Sequence, residues 1–189
     1  MSDQKIADPG PLGLAGFAMT TFCLSVANAN LWKGASVSAA LALALIYGGT
    51  AQILAGMWEF VRKNTFGALA FTSYGAFWIG LYILLKVPAV ASGDTTNTVA
   101  IYLLAWTIFT AYMLVAAFKT NVGLISVFVV LLVTFIFLTI GAWGAGHADM
   151  TKIGGWLGIL TAALAWYCSA AGVINETHGK VLLPLGPRG

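Results

Sequence analysis

Charge is placed along this chain in a way that leaves few folds open. Only 8% of the residues are Asp, Glu, Lys or Arg, and they punctuate the sequence instead of scattering through it. Between them lie six uncharged, largely apolar intervals: 11–31, 34–58, 67–85, 99–118, 123–143 and 153–174. Each is close to the ~20 residues with which an α-helix crosses the hydrocarbon of a bilayer. Lipid offers no partner for backbone N–H and C=O groups, so such intervals must satisfy them internally, as helices. The pattern predicts an all-α membrane protein with six transmembrane helices, multi-pass and integral to the cell membrane. It divides the chain into a short N-terminal segment (1–10), a six-helix domain (11–174) and a C-terminal tail (175–189). A composition that is 60% hydrophobic agrees, since a soluble globule of this length needs more polar surface.

The net charge of +3 and pI near 9.0 could suggest nucleic acid as a partner, but the basic residues sit at span ends. With both termini on one side, that side carries Lys5, Arg62, Lys63, Lys119, Lys180 and Arg188, and the other carries Lys33, Lys86 and Lys152. The positive-inside rule then expects both termini in the cytoplasm, with lipid as the surrounding partner. The first span is read as a retained helix, not a signal peptide. Cys23 and Cys168 fall inside spans and are read as small core residues.

The stretch 8–21, DPGPLGLAGFAMTT, reads as a helix start: Asp8 as N-cap, with Pro9 and Pro11 where no amide donor is missed. Gly10, Gly13 and Gly16 leave a bare face that another backbone or a small solute can approach, closed by Phe17. Beyond it Thr20, Thr21 and Ser25 make one face polar, as interhelical hydrogen bonds or as a solute path, while Asn28 and Asn30 suit the helix end. In the second span Gln52 stands among small residues and must tie helices together or face a wet cavity, and the surrounding small residues favour the cavity. Glu59, beside Arg62 and Lys63, reads as an exposed interfacial carboxylate. The third span places Phe71 and Tyr74 one helical turn apart, with Thr72 and Ser73 between them, and Tyr74 lies deep enough for its hydroxyl to need a partner. The loop 87–97 is read as a turn outside the membrane. The fourth span carries no assigned role. The fifth is nearly pure aliphatic and aromatic, with Leu131 near mid-depth, and the sixth opens with Gly154 and Gly158 at a spacing suited to close packing within or between protomers.

The chemistry the sequence lacks narrows function further. There is no metal-ligand cluster, no pair of carboxylates at mid-depth, no cysteine spaced to a histidine and no phosphate-binding loop, so neither an enzyme nor an ATP-driven pump is expected, and no cofactor. No Lys or Arg lies at the centre of a span, so whatever crosses is small, weakly held or close to neutral.

Taken together, DPGPLGLAGFAMTT, YGGTAQILAG, NTFGALAFTSYGAFW and INETHGKVLLPLG resemble the acetate uptake transporter family, the succinate-acetate permeases, over nearly the whole chain. The resemblance implies a homo-hexamer with one pathway per protomer, carrying acetate and sometimes succinate. It also implies a hydrophobic constriction, which falls here on Phe17, Tyr74 and Leu131. The residues themselves add Leu14, Thr20, Thr21, Gln52, Thr72 and Ser73 as candidates along the path, and Asp8, Pro9, Gly10, Pro11 and Gly13 as the helix-start motif at its cytoplasmic mouth. The family usually opens Asn-Pro-Ala-Pro, whereas this chain has Asp8-Pro9-Gly10-Pro11. A carboxylate there repels an anion, so either Asp8 is engaged by a partner or the mouth draws anions less strongly. Two other readings remain open from the residues alone: a channel for a small neutral solute such as urea, an amide or ammonia, and a structural or sensory membrane protein whose polar residues are helix glue.

Overall fold

The computed structural model describes residues 6–87, 97–144 and 147–186. These residues form no sheet, and six helical spans are long and apolar enough to cross a membrane. The first is α1 (Gly10–Asn28). The second is built from α2 (Ser38–Leu45) and α3 (Gln52–Val61), joined through a π-helical turn (Ile46–Ala51). The remainder are α4 (Thr65–Lys86), α5 (Thr98–Ala117), α6 (Val122–Gly141) and α7 (Ala148–His178). Most of the predicted loop 87–97, together with Lys5 and Arg188, lies outside the described residues.

Side-chain caps start two of the helices. The Asn64 side chain accepts from the Gly67 amide at 3.1 Å, and that of Asn121 from the Leu124 amide at 2.9 Å. At α1 the expected cap moves by one residue. Pro9, already helical at φ −77°, takes the N-cap position, and Asp8 stands outside it with its carboxylate accepting from the Gly10 amide at 2.8 Å. The proline ring fixes the dihedral that an Asp8 cap would have set. At the other end Asn30 turns the chain at φ +50°, a left-handed conformation asparagine tolerates.

The spans close into a ring. α1 packs on α7 and on the second span, α7 on α6, α6 on α5, and α4 on α3, with a lighter contact of α4 on α5 completing the circuit. The α1–α7 seam is a backbone contact: a side chain at Gly155 would run into Asn28 and Ala29, and one at Gly158 into Ser25. Gly154 instead faces Leu138 of α6, so the small residues that open the sixth span pack within one chain. The glycines of α1 are likewise filled by protein. A Cβ at Gly16 would lie 2.6 Å from the Tyr47 carbonyl, and one at Gly13 would strike the Phe71 ring.

The π-helical turn breaks the uniform second span expected from hydropathy. Gly48 and Gly49 remove the Cβ atoms that a normal turn would pack there, and the Thr50 hydroxyl donates to the Leu45 carbonyl at 2.7 Å, satisfying an acceptor in the widened turn. Thr20 of α1 fills the space over Gly48. The first residue after the turn is Gln52.

Candidate conduit cavity

A cavity of about 250 Å³ opens at the end of the ring where α1 begins and α3 ends. Asp8, Glu59, Arg62 and Asn64 stand at its mouth, with Asn121 and Leu185 also lining it. On each helix the lining residue farthest from that mouth is Phe17 on α1, Gln52 on α3, Tyr74 on α4, Leu131 on α6 and Cys168 on α7. At 1.5 Å of rise per residue these side chains form one layer about 10 to 15 Å inside the helix ends. All five are buried. The Phe17 and Tyr74 rings meet with centroids 5.7 Å apart, and Phe109 approaches Tyr74 edge-on at 5.3 Å.

Tyr74 is held from behind. Its hydroxyl lies 2.9 Å from the Thr110 hydroxyl, and Thr110 itself donates to the Trp106 carbonyl at 2.8 Å. Thr110 has one proton, which that carbonyl takes, so Tyr74 is the donor in the shared bond. The phenol proton is therefore committed, and the cavity meets the ring of Tyr74. Thr110 sits in the fourth span, which has no role assigned from its residues, and no local motif marks it; only the fold brings it to Tyr74. With the Tyr102 hydroxyl, which donates to the Phe77 carbonyl at 2.6 Å, and the ring contacts of Phe77 with Tyr102 and Trp106, this bond ties α4 to α5. Thr110→Val should lower stability by about 0.6 to 2 kcal/mol, the range for one interhelical bond in a membrane, while Thr110→Ser stays near wild type. Thermal melting in detergent checks this. The loss in Thr110→Val should not add to that in Tyr74→Phe, and additive losses would mean that the two side chains act separately.

The predicted path residues divide. Leu14 and Gln52 line the cavity, as do Asp8, Gly10 and Pro11. Thr20, Thr21, Thr72 and Ser73 do not, nor do Pro9 and Gly13. Thr20 donates back to the Gly16 carbonyl at 2.9 Å, and Thr72 packs over Gly56. Gln52 is 1% exposed and its carbonyl oxygen has no hydrogen-bond partner among the described residues, as is also true of the Thr21 and Thr72 hydroxyls; of the three, Gln52 lines the cavity.

Glu59 departs from expectation. It is 2% exposed, not an open interfacial carboxylate, because the start of α4 folds over it. The Asn64 amide donates to it at 2.9 Å, and Arg62 stands 3.9 Å away. Asp8, whose role the sequence left open, is engaged: its Oδ1 receives both Arg62 Nη1 and the Gly10 amide. Leu185 was also not foreseen. The tail returns to the bundle, where the Val122 and Gly123 amides donate to the Gly186 and Leu185 carbonyls at 3.0 and 3.1 Å. Asn175 receives the Leu182 and Leu183 amides at 2.7 and 3.0 Å, and Tyr167 donates to the Pro184 carbonyl at 2.8 Å.

A ring of six apolar spans around a cavity that penetrates toward mid-depth defines an integral, multi-pass membrane protein of the channel and carrier class. The chain belongs to the GPR1/FUN34/yaaH family, whose model matches residues 1–187. It is 40% identical over 188 residues to the succinate-acetate/proton symporter SatP of Escherichia coli (strain K12), covering 98% of each chain. It is 36% identical to the ammonia transport outward protein 2 of Saccharomyces cerevisiae, covering 95% of this chain and 66% of that one. Its fold matches a solved structure of the bacterial acetate channel SatP with a TM-score of 0.89 at 40% identity, over 96% of this chain and all of the other.

Proposed function

We propose that this chain is a membrane conduit, not an enzyme, for acetate and related short-chain carboxylates, succinate among them. The observation that carries the reading is the sequence of surfaces along the cavity: ionic groups at the mouth, the unpartnered carbonyl oxygen of Gln52 within, and an apolar layer of Phe17, Tyr74 and Leu131 at the deep end. A small carboxylate or its neutral acid meets polar groups first and a short apolar passage second, which suits fast, weak passage over tight binding. Phe17, Tyr74 and Leu131 form the narrow point, Leu14 and Gln52 line the approach, and Thr20 and Thr72 pack over Gly48 and Gly56 outside it. Both termini face the cytoplasm, where six of the nine basic residues then lie, and the protein assembles as a hexamer with one path per chain.

Purified protein in liposomes should carry labelled acetate well above protein-free vesicles, and equal rates would overturn the reading. The ammonia-related name of one relative gives a neutral solute as the second reading. Swelling of the same vesicles in urea, acetamide and acetate separates the two, and faster entry of the neutral solutes would favour the second.

A further inference from the structure

The mouth of the cavity already holds a carboxylate. Asp8 Oδ1 lies at a point on which two donors from different elements converge, the Gly10 amide at the start of α1 and the guanidinium of Arg62 just after α3. Arg62 is the one cation among the described residues that line the cavity, and it shares that lining with Gln52, whose buried carbonyl has no partner. We infer that Arg62 is the first binding site for the solute's carboxylate, and that Asp8 is a tethered occupant which the solute must displace. The inference rests on the carboxylate reading given above and assigns a site to it.

The exchange is electrostatically even. One carboxylate leaves the guanidinium as another arrives, and Asp8, whose side chain is 41% exposed, swings back into water. Glu59 also pairs with Arg62, at 3.9 Å, but it stays in place because it is buried and the Asn64 side-chain amide donates to it. The charged groups lining the mouth are therefore Asp8, Glu59 and Arg62, and their sum is unchanged when acetate stands in for Asp8. A group on a short tether competes at an effective concentration of roughly millimolar or above, so the site fills only when the solute is abundant. A planar guanidinium suits this use because it receives a carboxylate on two parallel donors.

The test is the concentration dependence of labelled-acetate exchange in vesicles at equilibrium, for wild type, Asp8→Asn, Arg62→Gln and the double variant. Asp8→Asn is close in shape and keeps an oxygen for the Gly10 amide. It should lower the half-saturating acetate concentration by about threefold or more, while Arg62→Gln raises it by a similar factor, the size expected for one charge-assisted contact at a half-exposed site. The double variant should match Arg62→Gln, because a competitor has no effect once its site is gone. If Asp8→Asn shifts half-saturation in the same direction as Arg62→Gln, the pair is only a clasp between α1 and α3 and the inference fails. An unchanged value in Arg62→Gln also overturns it. In both cases wild-type exchange persists, whereas no exchange by wild type would overturn the carboxylate reading itself.

Discussion

Replacing Leu131 with alanine is expected to admit lactate, raising the ratio of lactate to acetate flux by about tenfold, equivalent to ~1.4 kcal/mol of barrier. Leu131 is buried in the same layer as Phe17 and Tyr74, with its side chain on the cavity wall. Its truncation removes three carbon atoms, and lactate exceeds acetate by one carbon and one hydroxyl, so the space gained accommodates the larger acid. Phe17→Ala should act in the same direction, because its ring is the partner of Tyr74 across the layer. Tyr74→Phe should leave selectivity near wild type, since the ring remains and the lost hydroxyl faces Thr110, away from the solute. Large-to-small substitutions in a packed interior cost about 2 to 5 kcal/mol of stability, so fluxes must be scaled to folded protein inserted in the vesicles. Unchanged selectivity in both Leu131→Ala and Phe17→Ala would place the narrow point elsewhere.

Much of this arrangement is legible in the residues. Uncharged intervals of membrane-crossing length determine the six helices, because lipid leaves the backbone no alternative. The family resemblance points to Phe17, Tyr74 and Leu131, and the cost of an amide inside a span points to Gln52. What the residues concealed depends on contacts between distant segments. Nothing near Glu59 in sequence distinguishes a buried carboxylate from an exposed one; the fold of α4 over it does. The four hydroxyl side chains expected on the path illustrate the same limit. Periodicity places Thr20, Thr21, Thr72 and Ser73 on helices, but which side each presents depends on tertiary contacts: Thr20 packs over Gly48 of the π-helical turn and Thr72 over Gly56, while Gln52 is left on the cavity. Thr110 and Leu185 reach the site through tertiary contacts alone.

The mouth gives the opening motif a different meaning from the one its composition suggests. The glycines of α1 at positions 13 and 16 are occupied by Phe71 and by the backbone at Tyr47, so they set helix spacing. Gly10 and Pro11 remain on the cavity, next to the ion pair of Asp8 with Arg62. The residue that breaks the family pattern is thus tied to the one cation among the described residues of the wall, and neither feature is visible without the other.

The central claim is that solute passes through the layer formed by Phe17, Gln52, Tyr74, Leu131 and Cys168 within a single chain. Cys168 is a free thiol in that layer, and Cys23, the other cysteine, does not line the cavity. Covalent modification after reconstitution therefore obstructs the path without asking a bulky variant to fold. In a Cys23→Ser background, a small methanethiosulfonate reagent should reduce acetate flux to that of protein-free vesicles, in step with the occupancy of Cys168 read by mass spectrometry. Cys168→Ser should resist the reagent. Full occupancy of Cys168 with undiminished acetate flux would contradict the account, because the solute would then be crossing by another route.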